Sequence, residues 1–214
     1  MRESFKIKIK RQDRPDSAPY WETFDMPYEQ GLNITAVLQR IAANPVTCTG
    51  SQTTPVAFEA ACLEEVCGSC TMVVNGRVRQ GCSALIDNLL KEDDEITLEP
   101  MTKFPVQRDL FVDRQRMFDN LKKIKGWIPV DGYHNSGPGP RQSQKQQDAA
   151  YPLSECMSCG CCVEACPQFG PHSDFIGPAA ISHILGLNAA KMYDIDVEAK
   201  KKQLSGSPVQ IAAE

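Results

Sequence analysis

The sequence predicts an α+β chain in which a small mixed-sheet domain is followed by an all-helical domain. Three observations support this prediction. Short strand-like segments surround a single helix within the first 108 residues. Beyond them, apolar residues recur at helical spacing. A stretch rich in Gly, Pro and Gln interrupts the helical part and reads as a surface connection.

The first two strands are predicted at residues 5–10 and 20–27. In the first of them Phe5, Ile7 and Ile9 alternate with polar residues, which is the pattern of a half-buried strand. These two strands form one side of the predicted sheet.

The segment "GLNITAVLQRIAANP" predicts a helix, with Asn33 as its N-cap and Pro45 at its end. "TMVVNGRVRQ" predicts a hairpin, because Asn75-Gly76 is the strongest short hairpin signal. "EITLEP" predicts a last strand. Strands and one helix in this order are typical of a compact sheet with a helix packed across it.

"RDLFVDRQRMFDNLKKIKGWIP" shifts to helical periodicity through the apolar residues Phe111, Met117, Phe118, Leu121 and Ile124. Residues 131–147 then form the predicted connection, and the remainder, including "DVEAKKKQL", reads as helical. The predicted domains are 1–108, a connecting helix and loop at 109–147, and a helical domain at 148–214.

Composition restricts the class of protein. Ten cysteines in 214 residues, with no visible secretory or transit segment, predict a reducing compartment in which clustered cysteines bind metal. A net charge of −4 without a long basic run argues against nucleic-acid binding. No segment approaches the ~20 apolar residues of a membrane span, so membrane association is expected to come through a partner.

The first cysteine set is Cys62, Cys67, Cys70 and Cys82, spaced Cys-x4-Cys-x2-Cys-x11-Cys. The first part is the plant-type binuclear iron–sulfur spacing. Gly68 and Ser69 let the backbone approach the sulfurs closely and point N–H groups at them. The alternative is a structural zinc site, although such sites usually pair two short knuckles.

The second set is Cys156, Cys159, Cys162 and Cys166, in the run "CMSCGCCVEACP". Such a run supplies three thiolates to one cubane cluster and the fourth to another, and zinc is again the alternative. Cys161 and Cys48 are predicted to be buried, inert thiols. Two cluster sites without a nucleotide motif or a catalytic base predict an electron carrier.

Both motifs, in this order and at this distance, resemble the iron–sulfur subunits of succinate dehydrogenase and fumarate reductase. The resemblance runs from about residue 3 to about residue 190 and includes "CLEEVCGSC", "VRQGC", "RDLFVDRQRMF", "WIPVDG", "GPGPR", "CMSCGCCVEACP" and "FIGPA". It implies a β-grasp, ferredoxin-like domain whose 2Fe-2S cluster is bound by Cys62, Cys67, Cys70 and Cys82. It also implies a helical domain in which Cys156, Cys159 and Cys162 bind a 4Fe-4S cluster and Cys166 binds a 3Fe-4S cluster.

The resemblance further implies that electrons pass from a FAD-containing subunit through the clusters to a quinone at a membrane-anchor cytochrome b subunit. The chain alone would not act on succinate. "CPQFGPHSDFIGP" lacks the tryptophans of the ubiquinone-reactive type and favours menaquinone. The implied location is the cytoplasmic face of the bacterial inner membrane, peripheral through partner subunits. The alternative is a fumarate reductase subunit, which has the same architecture but works in the opposite direction.

The family continues with further cluster ligands, and no cysteine follows Cys166 in this sequence. We expect the remaining ligands of both later clusters to lie in sequence beyond Glu214. The alternatives are histidine ligands, His172 or His183, and a cysteine from a partner chain. Another alternative is a free 2Fe-2S module with a degenerate tail, but "GPAAISHILGLNAA" keeps its apolar periodicity.

Overall fold

A computed structural model describes residues 3–92, 95–124 and 143–186 of the chain. The chain divides into two compact units. The first unit is Met1–Phe118 with Met157–Ala179, and the second is Asp119–Cys156 with Ala180–Glu214. Each unit combines two separate stretches of the chain, whereas the predicted segments 1–108, 109–147 and 148–214 are each continuous. The boundaries of those segments stay a prediction.

The first unit is built on a five-stranded mixed sheet. Its strands are β1 (Ser4–Arg11), β2 (Tyr20–Pro27), β3 (Thr71–Val74), β4 (Arg77–Gln80) and β5 (Glu95–Glu99), in the order β2-β1-β5-β3-β4. β1 pairs antiparallel with β2 and parallel with β5. All five predicted strands are present, and the predicted mixed sheet is confirmed.

The core of this sheet follows from the apolar alternation in β1. Phe5, Ile7 and Ile9 are buried, and they share one hydrophobic cluster with the apolar face of α1 (Ile34–Ala43). The cap of α1 is the predicted one, since Asn33 Oδ1 accepts the N–H of Ala36 at 2.8 Å. A helix therefore packs against the sheet as expected.

The β3–β4 hairpin turns at Asn75 and Gly76, with φ values of +47° and +72°. Both central residues of a type I′ turn need positive φ, which Asn and Gly tolerate. This turn returns the chain to the cysteine loop, because Gln80 at the end of β4 lies opposite Thr71 at the start of β3.

A short helix, α2 (Ile86–Glu92), was not predicted. Its Ile86 and Leu89 are buried in the core of the first unit. Asp87 accepts hydrogen bonds from the Tyr28 hydroxyl at 2.7 Å and the Gly31 N–H at 3.0 Å. These two donors, the tyrosine hydroxyl first, hold the pKa of Asp87 below its ordinary value.

The helix predicted from "RDLFVDRQRMF" begins later than expected. Residues Val106–Arg108 (β6) and Phe111–Val112 (β7) instead form a two-stranded antiparallel ribbon. The helical prediction was therefore wrong for Phe111, because the extended chain here buries the neighbouring Leu110 and Val112. The helix itself, α3, is Gln115–Lys123, and Phe118 on it is 42% exposed.

Three more helices lie in the region predicted as helical: α4 (Gln144–Ser154), α5 (Cys161–Ala165) and α6 (Pro178–Gly186). α4 begins inside the predicted connection. The rest of that connection, at 131–142, and the predicted helical segment "DVEAKKKQL" lie outside the described residues. An all-helical second domain thus stays a prediction. Over the described ranges, the helices are all too short or too polar to cross a bilayer.

Candidate functional site

The four cysteines of the first set lie on one loop and on the return of the hairpin that follows it. Cys70 directly precedes β3, and Cys82 comes two residues after β4. The N–H of Gly81 donates to the carbonyl oxygen of Cys70 at 2.9 Å, which holds these two chain segments side by side. Cys70 and Cys82 are buried, whereas Cys62 and Cys67 are half-buried.

The loop wraps around the sulfur of Cys62. Leu63 and Glu65 both have φ of +62°, a left-handed conformation that is uncommon for side chains of their size. These two turns point successive amides inward. Cys62 Sγ accepts three backbone N–H groups, from Glu64 at 3.4 Å, Val66 at 3.3 Å and Cys67 at 3.3 Å.

Cys67 receives similar support. Its Sγ lies 3.4 Å from Ser69 Oγ and accepts the N–H of Ser69 at 3.4 Å and the N–H of Cys62 at 3.5 Å. The hydrogen bond with the Ser69 side chain and these amides lower the pKa of Cys67 to about 6. Cys67 is therefore preorganised as a thiolate, the form that binds metal.

The pKa of Cys82 is shifted in the opposite direction. Burial, followed by its hydrogen bond with Cys70 and the nearby charges of Cys70 and Cys62, raises the pKa of Cys82 to about 11. Sulfurs that repel one another as anions are stabilised together by cations placed among them, and binding then releases the proton.

These residues fit an iron–sulfur cluster by the chemistry of their donors. Four soft thiol sulfurs come from one loop and hairpin, and backbone N–H groups already point at two of them. In the part of the chain that the structure describes, no three His, Cys, Asp or Glu side chains form a group that could hold a single metal ion.

Three cysteines of the second set lie on or beside α5. Gly160, in the left-handed conformation with φ of +88°, turns the chain from Cys159 into this helix. Cys159 and Cys166 are half-buried and Cys162 is exposed. Cys156 belongs to the second compact unit, where it is half-buried. Within the first unit, Cys159 directly precedes Gly160, Cys162 lies on α5 and Cys166 directly follows it.

Two sequence predictions about single cysteines need correction. Cys48 is exposed rather than buried, because it lies on a loop beside the edge strand β2. Cys161 is only half-buried, and it forms a hydrogen bond with Cys159. That bond is the main reason why the pKa of Cys159 is lowered to about 6 and that of Cys161 is raised.

The two histidines considered as replacement ligands differ from each other in exposure. His172 is exposed on a turn, and His183 is half-buried in α6, where burial lowers its pKa. Within residues 3–92, 95–124 and 143–186, neither belongs to a group that could hold a metal ion.

The two cysteine loops touch each other within the first unit. Gly68 has φ of +71°, and a Cβ atom built on it would lie 2.4 Å from Cys159 Cα. The contact is therefore closed to any larger residue. Glu164 on α5 holds the second loop in place, because its carboxylate accepts the N–H of Thr102 at 2.9 Å and that of Lys103 at 3.2 Å.

Sequence reasoning did not identify Arg114, which also lies at this junction. Its Nη1 donates to the carbonyl oxygen of Gly68 at 3.0 Å, and its Nη2 forms an ion pair with Glu59 at 3.3 Å. An arginine just before a helix normally suggests a solvated residue. No sequence signal marks its contact with a loop 46 residues away.

Comparison with known proteins gives concordant results. A family described as "2Fe-2S iron-sulfur cluster binding domain" matches residues 6–119. The chain is 54% identical over 181 residues to the "Succinate dehydrogenase iron-sulfur subunit" of Bacillus subtilis (strain 168), covering 85% of this chain and 70% of that protein. It is 30% identical over 181 residues to the "Fumarate reductase iron-sulfur subunit" of Escherichia coli O6:H1, covering 84% and 70%.

A solved structure described as "Mycobacterium smegmatis Sdh1 complex in the apo form" contains a chain with a similar fold. The TM-score is 0.66 at 23% identity, and the match covers 87% of this chain and 76% of that one. At this level of identity the similarity concerns the fold alone.

Proposed function

The chain belongs to the family of iron–sulfur subunits of succinate dehydrogenase and fumarate reductase, and we propose how its residues carry out electron transfer there. Subunits of this family transfer electrons, and we propose that this chain does not act on succinate by itself. The proposed overall role is to pass electrons from a FAD-containing subunit to a membrane quinone.

The entry point is a 2Fe-2S cluster bound by Cys62, Cys67, Cys70 and Cys82. The observation that carries this assignment is the loop itself, whose amides converge on the sulfurs of Cys62 and Cys67. When bound, such a cluster takes up and releases one electron. The loop holds the thiolates and donates hydrogen bonds to them, which favours the more negative, reduced state.

Cys156, Cys159 and Cys162 are the proposed ligands of a 4Fe-4S cluster, and Cys166 is a proposed ligand of a 3Fe-4S cluster. The run of cysteines and its contact with the first loop support these assignments. Because Gly68 packs directly against Cys159, the protein offers a short path from the first site to the second.

The proposed partners are a FAD-containing subunit, a membrane-anchor cytochrome b subunit and a quinone. We assign menaquinone, because "CPQFGPHSDFIGP" contains no tryptophan after Cys166-Pro167. The proposed location is the cytoplasmic face of the bacterial inner membrane, held there by the partners. Succinate oxidation is the favoured direction, since the relative at 54% identity is a succinate dehydrogenase subunit and the one at 30% is a fumarate reductase subunit.

Cysteine-to-serine variants of the assembled complex test the ligand assignments. C70S is expected to abolish the electron paramagnetic resonance signal of the reduced 2Fe-2S cluster, and C48S, at an exposed cysteine outside both sets, is expected to retain it. C159S is expected to remove the 4Fe-4S signal. C161S, at the first residue of α5, is the matched control, because it changes a cysteine outside the ligand set and leaves a hydroxyl that can still form the hydrogen bond with Cys159.

A normal 2Fe-2S signal in C70S would contradict the first assignment, and loss of the 4Fe-4S signal in C161S but not in C159S would contradict the second. Reduction of menaquinone and ubiquinone analogues by the same preparation distinguishes the quinone types. Fumarate reduction faster than succinate oxidation would favour the reverse direction.

A further inference from the structure

One peptide group in the first cysteine loop connects a cation to a cluster ligand. The carbonyl oxygen of Gly68 accepts a hydrogen bond from Arg114 Nη1 at 3.0 Å. The N–H of the same peptide group belongs to Ser69 and donates to Cys67 Sγ at 3.4 Å. The guanidinium and the sulfur therefore lie at opposite ends of a single amide dipole.

This peptide group is fixed in orientation. The carbonyl oxygen of Gly68 also accepts from the hydroxyl of Thr71 at 2.9 Å and from its N–H at 3.3 Å. On the other side, Gly68 packs so closely against Cys159 that an added Cβ would lie 2.4 Å from Cys159 Cα. Hydrogen bonds in series polarise one another, so a donor on the carbonyl strengthens the N–H bond to the sulfur.

Water screens the charge of Arg114 only weakly, because this side chain is largely buried. Its side chain is 12% exposed, whereas that of its ion-pair partner Glu59 is 40% exposed. The carboxylate is thus better screened by water than the guanidinium, and a net positive field remains at the buried end of the pair. The acidic residues of this loop, Glu64 and Glu65, are both exposed, and the Glu65 carboxylate accepts a hydrogen bond from the Ser83 hydroxyl at 2.8 Å.

We propose that Arg114 is a positioning residue that raises the reduction potential of the 2Fe-2S cluster by polarising the Gly68–Ser69 peptide group toward Cys67. Reduction adds one negative charge to the cluster and its thiolates. A nearby cation and a stronger N–H bond to sulfur both stabilise that added charge, so both raise the potential. The inference rests on the proposed function, because it needs the cluster at Cys62, Cys67, Cys70 and Cys82.

The test is a redox titration of the assembled complex followed by the resonance signal of the reduced 2Fe-2S cluster. R114Q removes the charge and is expected to lower the equilibrium constant for reduction by about tenfold, the order expected of a unit charge in a partly buried site. For a one-electron couple this equals a fall of about 59 mV. R114K keeps the positive charge, so its reduction potential is expected to stay close to that of the unmodified complex.

Two further variants separate this effect from damage to the loop. E59Q removes the anion that opposes Arg114, so it is expected to raise the potential, by less than R114Q lowers it. R40Q changes the net charge equally but lies on α1, paired with Glu29 at the surface, and is expected to leave the potential unchanged. Spin counting in each variant verifies that the cluster is present.

An unchanged potential in R114Q, or a fall in R114K as large as in R114Q, overturns the proposal. If R114Q does not retain the cluster, E59Q decides: an upward shift supports the proposal and no shift overturns it. Absence of a 2Fe-2S signal from the unmodified complex refutes the ligand assignment instead, so the two failures are distinguishable.

Discussion

The buried ion pair between Arg11 and Asp109 offers the sharpest test of the energetics of the first unit. Both side chains are fully buried. Arg11 Nε donates to Asp109 Oδ1 at 2.8 Å, and Nη2 donates to Oδ2 at 3.2 Å. The same carboxylate accepts the N–H of Gln12 at 3.1 Å and that of Ala57 at 2.8 Å. D109N removes the charge and turns one acceptor oxygen into a donor.

The expected loss in the free energy of unfolding follows from this geometry. Removing one partner of a buried ion pair costs ~3–5 kcal/mol, because the other charge stays buried without compensation. Arg11 also pairs with Glu22, whose side chain is 18% exposed, so part of the compensation persists. We therefore expect the lower end, a loss of ~3 kcal/mol in the free energy of unfolding. Asparagine tolerates the φ of +49° at this position, so backbone strain adds little.

Denaturant and thermal unfolding of the full chain measure this loss. For a chain of this size ~3 kcal/mol corresponds to a fall in Tm of roughly 6–12 °C. R40Q, which breaks the exposed Arg40–Glu29 pair, is the control and is expected to change Tm little. The double variant R11M/D109N should recover part of the loss, because no unpaired cation remains.

Equal effects of D109N and R40Q would refute the reasoning, since they would mean that burial does not distinguish the two pairs. The single variant R11M completes the comparison. If the loss in R11M/D109N equals the sum of the losses in R11M and D109N, the reasoning is also refuted, because the cost would then not come from an uncompensated charge.

Further predictions concern the loop, a helix cap and a titrating carboxyl. G68A should sharply reduce iron retention, because its Cβ would lie 2.4 Å from Cys159 Cα. G76A is the control: Gly76 has φ of +72° but open space around it, so G76A should lower the free energy of unfolding by only ~1 kcal/mol and retain iron. N33A should lower the free energy of unfolding by ~1 kcal/mol through loss of the cap of α1, measured by denaturant titration. The pKa of Asp87 is lower in the folded chain than in the unfolded chain. The Asp87 carboxylate therefore contributes its full stabilisation above the ordinary carboxyl pKa of ~4, and this stabilisation is lost as the pH falls through the pKa of the folded chain. D87N should flatten the fall in Tm below pH ~4, and an unchanged slope would contradict this.

Features with local causes were predictable from the sequence. Strand alternation in β1, the turn residues Asn75 and Gly76 and the cap at Asn33 depend on neighbours a few positions away, and the structure contains each of them. The cysteine spacing likewise belongs to the sequence, because a cluster ligand set is defined by residue type and by the reach of a short loop. The family, its electron-transfer role and the candidate ligands could therefore be inferred before any fold was known.

The tertiary structure alone decided the contacts that join distant segments. Arg11 and Asp109 are 98 positions apart, and Arg114 reaches Gly68 across 46. No local period encodes such pairs, because they form only after the sheet has brought the two segments together. The same reason explains the late start of α3: burial of Leu110 and Val112 keeps Phe111 in an extended strand despite its helical spacing. The candidate cluster ligands follow from the order of residues in the chain, and folding decided which charges and peptide groups surround them.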